Sequence, residues 1–146
     1  MSVSEAMSQA PTSDAVPEVP PIPVSLYVHI PWCVSKCPYC DFNSHALHAP
    51  VDQDAYVDAL LRDLDFEVAR RPLPEIGSVF IGGGTPSLFS GAAIGRLLEG
   101  AAQRLRLARG AEITLEANPG AAEAAHFSEY RAAGVNRLSI GVQSLD

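Results

Sequence analysis

Hydrophobic and polar residues alternate along the chain with two periods that follow one another in a regular order. Three short stretches have the period of two that is typical of β-strands, and a fourth, 78–81, is a short apolar run. Two longer stretches repeat apolar residues every three or four positions, as amphipathic helices do, and a third helix is predicted between the last two strands. The predicted strands are 24–30, 78–81, 112–117 and 137–144, and the predicted helices are 52–71, a segment after Ser90, and 121–133. This order predicts a parallel α/β sheet with right-handed crossovers.

The ends of the predicted helices carry capping signals. Asp52 precedes the first helix and Ser90 the second, and both residue types favour the N-cap position. Gly134 follows the third helix, where a glycine commonly ends a helix in the left-handed conformation. Apolar stripes predict the buried faces of the first two helices: Val57, Leu60, Leu61, Leu64 and Val68, then Ile94, Leu97, Leu98, Ala101 and Leu105.

The predicted strands have one apolar and one polar face. In the third strand Ile113 and Leu115 alternate with Thr114 and Glu116, and the fourth strand follows the same pattern as far as Gln143. A polar face is costly in a dry core. We therefore expect a curved sheet with helices outside and a ligand-filled interior, whose polar groups converge at the C-terminal ends of the strands, as in barrel-type α/β folds.

The chain is short for such an architecture. A complete (β/α)₈ barrel takes about 250 residues, whereas this chain has 146 and four strands. We expect a fragment, with an uncovered edge on the fourth strand. The expected domain organisation is a Pro-, Ser- and Ala-rich disordered tail at 1–22 and one truncated core domain at 23–146.

Composition narrows the classes of partner and compartment. A formal charge of −7 argues against a nucleic-acid partner, which favours a basic surface. No apolar run approaches the roughly 20 residues that span a bilayer, so no transmembrane segment is expected. The first 22 residues carry no basic residue and no apolar core of a signal peptide. These features predict a cytoplasmic protein with reduced thiols.

All three cysteines fall in one loop after the first strand. Cys33, Cys37 and Cys40 have the spacing C-x₃-C-x₂-C. Three free thiols are one explanation, and a zinc site completed by a nearby histidine (His29, His45 or His48) is another, although zinc motifs usually come as two separated pairs. The third is an iron–sulfur cluster held at three irons, with the fourth iron open. An open metal position is typical of catalysis.

Four motifs in order resemble a known superfamily. "LYVHIPWCVSKCPYCDFNSH", "FIGGGTPSLF", "ITLEANPG" and "GVNRLSIGVQSLD" are similar to radical S-adenosylmethionine (SAM) proteins, in particular the oxygen-independent coproporphyrinogen III oxidase family and its branch of oxidase-like heme chaperones. The resemblance runs from residue 24 to the end of the sequence. True oxidases of this family carry a further cysteine where this sequence has Phe42, which favours the chaperone branch.

The resemblance implies a fold and a cofactor set. The fold would be the N-terminal half of a partial (β/α)₆ barrel. Cys33, Cys37 and Cys40 would hold a 4Fe–4S cluster, and the open iron would bind the amino and carboxylate groups of SAM. In the superfamily an electron from the cluster cleaves SAM to methionine and a 5′-deoxyadenosyl radical, so the chain has SAM-cleaving potential.

The resemblance also implies SAM contacts. The glycine segment would hold the methionine end of SAM, since glycines let a backbone approach a ligand closely. The glutamate and glutamine that end the third and fourth strands would bind its polar groups, and two tyrosines of the first motif would complete the site. The implied residues are Tyr27, Tyr39, Gly83, Gly84, Thr85, Glu116 and Gln143. His29 is expected to be a hydrogen-bonded structural residue, and His45, His48 and His126 to lie at the surface.

Three functions follow as expectations. The first is a heme chaperone that delivers heme to hemoproteins, with an electron donor for its cluster and heme held by a part of the protein beyond residue 146. The second is a coproporphyrinogen III oxidase of porphyrin biosynthesis. The third is a protein without enzyme activity, either an inactive fragment or a zinc-binding interaction module.

Overall fold

The structure, a computed structural model, describes residues 22–144, without the side chains of residues 121–123. The disordered tail predicted at 1–22 lies outside this range, apart from Ile22. The strands are β1 Val24–Ile30, β2 Trp32–Cys33, β3 His45–Ala46, β4 Ile76–Gly83, β5 Leu107–Ala117 and β6 Arg137–Ile140; the helices are α1 Gln53–Arg70, α2 Gly91–Arg104 and α3 Ala121–Ala133, with a 3₁₀ turn at Pro86–Leu88.

The four longer strands form one parallel sheet in the order β1-β4-β5-β6. A helix lies between each strand of this sheet and the next along the chain, which confirms the predicted α/β class with a parallel sheet. The register aligns the C-terminal ends: Ile30 lies beside Gly83, and Ala117 beside Ile140. Loops that follow these strands therefore emerge at one edge of the sheet.

The helices begin and end where their capping residues predict. The Asp52 carboxylate accepts a hydrogen bond from the Ala55 backbone N–H at 2.9 Å, and the Ser90 hydroxyl accepts one from Ala93 at 3.2 Å. Gly134 ends α3 with φ +110°, in the left-handed region. Within residues 22–144, none of the helices combines the length and apolarity needed to cross a membrane.

The core lies between the sheet and its helices. Ile30, Ile81 and Leu115, one from each of three neighbouring strands, have no exposed surface. They belong to one cluster with buried residues of all three helices, among them Val57, Ile94, Leu97 and Tyr130. Each large side chain buried in this way stabilises the fold by about 1.5–3 kcal/mol relative to exposure, and the cluster holds the strand ends in place.

Strand lengths differ from the prediction because pairing decides them. β4 continues through Gly82 and Gly83, which pair with the end of β1, and β5 begins at Leu107, beside Ile76. The prediction that the last strand reaches residue 144 is wrong: β6 ends at Ile140, opposite the last residue of β5. The two-residue strands β2 and β3 are too short to produce a detectable period.

Candidate cofactor site

The cysteine loop begins and ends on the pair β2 and β3. The Pro31 carbonyl accepts a hydrogen bond from the His45 N–H at 2.7 Å, and the Cys33 carbonyl accepts one from Leu47 at 2.8 Å. These bonds hold the two ends of the loop side by side. Cys33 is consequently buried at the base of the loop.

The second and third cysteines lie on a tight turn. The Cys40 N–H donates to the Cys37 carbonyl at 3.0 Å, and Pro38 stands at the second position, where its fixed φ suits a β-turn. Cys37 is exposed and Cys40 half-buried. No three His, Cys, Asp or Glu side chains among the described residues stand together as a formed metal site.

An aromatic group supports the base of the loop. The Trp32 ring meets Tyr56 of α1 edge-on, with centroids 4.5 Å apart, and stacks on Phe89 at 6.0 Å. The Tyr56 hydroxyl donates to the His29 carbonyl at 2.7 Å. The sequence pattern does not reveal this support for Cys33, because aromatic residues at positions 32, 56 and 89 share no motif or period.

The glycine segment after β4 is bound to the cysteine loop through its backbone. The Gly84 N–H donates to the Ile30 carbonyl and the Thr85 N–H donates to the Trp32 carbonyl, both at 2.7 Å. A Cβ on Gly84 would lie 2.6 Å from the Trp32 carbonyl oxygen, and one on Gly83, whose φ is +121°, would lie 2.8 Å from the His29 ring. Gly84 is therefore required by packing against the start of the cysteine loop, and Gly83 by packing against the end of β1 and by its positive φ.

Glu116 reaches this segment from the neighbouring strand. Its Oε2 accepts a hydrogen bond from the Gly83 N–H at 3.1 Å, and a Cβ on Gly82 would lie 2.9 Å from the same oxygen. The carboxylate also acts on Tyr27: partial burial, and secondarily the negative charge of Glu116, raise the pKa of the Tyr27 hydroxyl. Glu116 thus places a negative charge at the end of the strands.

Tyr27 and His29 form a chain of hydrogen bonds to the cysteine loop. The Tyr27 hydroxyl lies 2.8 Å from His29 Nδ1, and His29 Nε2 lies 2.8 Å from the Asn43 carbonyl oxygen. Because a carbonyl only accepts, Nε2 carries the proton, and in the neutral ring Nδ1 accepts from Tyr27. His29 is therefore hydrogen-bonded at both ring nitrogens.

One cavity of about 560 Å³ brings most of the predicted residues together at the C-terminal ends of the strands. This volume lies within the range of about 300–1,000 Å³ that is usual for ligand and cofactor sites. The predicted residues that line it are Cys33, Cys37, Tyr39, Cys40, Gly83, Gly84, Thr85, Glu116 and Gln143. Gln143 joins them from the irregular segment after β6 rather than from a strand.

Tyr27 lies beside this cavity rather than in it. It lines a neighbouring cavity of about 220 Å³ with Phe42, Phe80, Gly83 and Glu116. Gly83, Glu116 and Phe42 line both cavities. The 560 Å³ cavity is also lined by residues that were not predicted: Ser35, Asn118, Pro119, Ser139, Gly141 and Ser144. Most of them follow the end of β5 or β6, a position that could have identified them in the sequence.

The remaining predicted residues are placed as follows. Tyr39 is 72% exposed, and a hydrogen bond with the Cys37 side chain is the main cause that raises the pKa of its hydroxyl. His45, His48 and His126 are exposed, as expected.

The donors present suit an iron–sulfur cluster with one open iron and a polar ligand on it. Three thiols line the cavity, and the sequence holds no fourth cysteine. Thiolates are the usual ligands of such clusters. Glu116 and Gln143 add a carboxylate and an amide to the same cavity. These side chains can bind amino, carboxylate and hydroxyl groups.

Curated proteins are similar in sequence to most of this chain. The chain is 63% identical over 122 residues to the heme chaperone HemW of Escherichia coli, covering 84% of this chain and 32% of that protein. It is 41% identical over 145 residues to the mitochondrial radical S-adenosyl methionine domain-containing protein 1 of Bos taurus, covering 97% and 33%. The chain thus spans about a third of the length of the curated relatives it matches.

A solved structure and a family profile extend the comparison. The Escherichia coli coproporphyrinogen III oxidase HemN, described as a radical SAM enzyme, superposes with a TM-score of 0.75 at 34% identity, covering 85% of this chain and 29% of HemN. These similarities confirm the resemblance to the oxidase and chaperone family. The profile of the Radical SAM superfamily matches residues 27–146. The chain belongs to the radical SAM superfamily.

Proposed function

We propose that this chain is the cluster- and SAM-binding part of a heme chaperone. One observation carries the proposal: the three cysteines line the same cavity as Glu116, Gln143 and the glycine segment. The cysteine loop, the glycine segment, Glu116 and Gln143 each lie at or after the end of a different strand. Heme delivery to hemoproteins is taken from the similarity to HemW, and it would involve parts of the protein outside this chain.

Membership of the superfamily implies a 4Fe–4S cluster and SAM in general. Within the proposal, Cys33, Cys37 and Cys40 would hold the cluster and leave one iron available to SAM. When bound and reduced by a separate electron donor, the cluster would supply the electron for SAM cleavage. The polar residues of the cavity bind and orient SAM: Glu116 its amino group, Gln143 its polar edge, and the backbone of Gly83–Thr85 its methionine end, with Tyr27 and Tyr39 beside them.

A coproporphyrinogen III oxidase is the second candidate. The fold similarity to HemN supports it. The exposed Phe42 at the edge of both cavities supports the chaperone, because oxidases of the family place a cysteine there. Heme or a porphyrin is the ligand in either case.

Anaerobic reconstitution of the intact protein tests the cluster. We expect about four irons per chain, and Cys37→Ala should lose most of this iron because only two thiolates remain. His48→Ala is the control: it removes a candidate zinc ligand and should leave the iron content unchanged. Stoichiometric zinc without iron, or full iron in Cys37→Ala, would contradict the assignment.

The same reconstituted protein separates the two functions. It is incubated with SAM, a reductant and coproporphyrinogen III, and in parallel it is titrated with heme. Tight heme binding without porphyrinogen turnover supports the chaperone. Formation of protoporphyrinogen IX would instead establish the oxidase.

A further inference from the structure

Lys36 is the only lysine of the chain; the other nine basic residues are arginines. It lies between the first two cysteines, and its side chain crosses the loop to the segment that follows the third. Its Nζ donates to the Phe42 carbonyl at 3.3 Å and to the Ser44 carbonyl at 3.1 Å. A compact ammonium with three donors can serve two converging carbonyls at once.

The carbonyl between these two is bound by a second side chain. His29 Nε2 donates to Asn43 at 2.8 Å. The three consecutive carbonyls of residues 42–44 thus accept hydrogen bonds from His29, which precedes the cysteine motif, and from Lys36, which lies within it. We call Lys36 and His29 the carbonyl clasp.

The cysteine loop has few other hydrogen bonds in this region, one of them from the Ser44 hydroxyl to the Phe42 carbonyl at 3.4 Å. Residues 34–44 contain no helix or strand, and the backbone bonds inside them are Cys40 N–H to Cys37 and Ser44 N–H to Phe42. Cys40 stands only two residues before Phe42, and its Sγ lies 3.9 Å from the Ser44 hydroxyl. Any displacement of segment 42–44 therefore moves the third thiol.

From these contacts we infer that Lys36 and His29 are positioning residues: their clasp fixes segment 42–44 before any cofactor binds, and thereby limits where the Cys40 thiol can lie. The inference rests on the proposed function insofar as Cys40 is a cluster ligand. The clasp itself is a property of the metal-free protein. Lys36 contributes through hydrogen bonds to main-chain oxygens and is not among the residues that line the 560 Å³ cavity.

Hydrogen exchange of the metal-free intact protein tests the clasp directly. In Lys36→Met, which keeps the length of the side chain without its donors, we expect the amides of Ser44 and His45 to exchange about tenfold faster, equivalent to about 1.4 kcal/mol. Arg106→Met, which removes a 77%-exposed cation elsewhere, is the charge-matched control and should leave these amides unchanged. Lys36→Arg restores a donor and should recover part of the protection.

The outcomes separate the clasp from the proposed function. Unchanged loop exchange in Lys36→Met overturns the inference. So does a rise that is equal in the loop and in α1, because the lysine would then stabilise the whole fold. Iron content is measured on the same preparations: a parent protein that binds no iron contradicts the proposed function, while the exchange result still decides the clasp. A clasp that positions Cys40 predicts lower iron retention in Lys36→Met than in Lys36→Arg.

Discussion

At the scale of single residues, Glu116 connects the strand ends with the cavity. Its carboxylate accepts a hydrogen bond from the Gly83 N–H, its negative charge acts on the Tyr27 hydroxyl, and the residue lines the cavity. A carboxylate in this position can pair with a cationic amino group of a ligand. An amide of the same shape could still accept from Gly83 but would carry no charge.

Glu116→Gln therefore tests the charge separately from the shape. We expect SAM affinity to fall about tenfold, because a hydrogen bond to a charged group contributes about 1.5–3 kcal/mol and one to a neutral group about 0.5–1.5 kcal/mol, a difference of roughly 1.4 kcal/mol. The pKa of Tyr27 should fall at the same time, since the negative charge of Glu116 contributes to raising it. Calorimetric SAM binding and NMR titration of labelled tyrosine measure the two effects.

Glu112→Gln is the matched control for this substitution. Glu112 lies on the same strand, is exposed, and pairs with Arg137 rather than with the cavity. It should leave both SAM affinity and the Tyr27 pKa unchanged. If Glu116→Gln binds SAM as the parent does, the carboxylate is not a SAM contact.

At the same scale, the sequence predicted most of the residues that line the cavity, but not the hydrogen bonds that hold the cysteine loop in place. Parallel strands end at one edge, so Glu116 and Gln143 were expected together from their positions, whereas Gly83 and the cysteines were assigned to the same site through the family resemblance. The carbonyl bonds of Lys36 were not predictable, because backbone oxygens leave no signature in the sequence.

At the scale of elements, helix boundaries were more predictable than strand boundaries. Asp52, Ser90 and Gly134 cap their helices through atoms a few residues away, so the signal is local. A strand ends where its partner ends: β6 stops at Ile140, opposite Ala117, the last residue of β5. Two residues beyond Ala117 is Pro119, which has no N–H to extend the pairing. That information lies in another part of the chain.

The glycines of α2 make a prediction about helix packing. A Cβ on Gly95 would meet Ala133 at an ordinary 3.6 Å, whereas one on Gly91 would lie 2.4 Å from the Glu129 Cβ. Gly95→Ala should therefore stabilise the protein by about 0.5–1 kcal/mol, because alanine loses less backbone entropy in a helix. Gly91→Ala should destabilise it by about 1–3 kcal/mol through overpacking against α3.

Urea unfolding of the two variants and the parent protein measures both changes in the free energy of unfolding. The two substitutions add the same methyl group to the same helix, so each serves as the control for the other. Shifts of the unfolding midpoint in the same direction would contradict the packing described for α2 and α3.

At the scale of the whole molecule, the described sheet has two open edges. Within residues 22–144, β1 pairs on one side with β4, and β6 pairs on one side with β5. Beside the β6 edge, Ile140 is 44% and Val142 51% exposed, as expected for an apolar face without a cover. The chain covers 32% and 33% of the length of two of its curated relatives.

The open edge predicts how the 146-residue chain behaves when it is produced alone. Unpaired strand edges beside apolar side chains promote association between chains, so we expect concentration-dependent oligomers in analytical ultracentrifugation and binding of a hydrophobic dye. Ile140→Lys should reduce both, because a charge at an exposed edge opposes pairing, whereas Phe66→Lys, at a position on α1 that is 60% exposed, should not. A monomeric chain without dye binding would show that β6 needs no further strand, and that the fold of residues 22–144 is sufficient by itself.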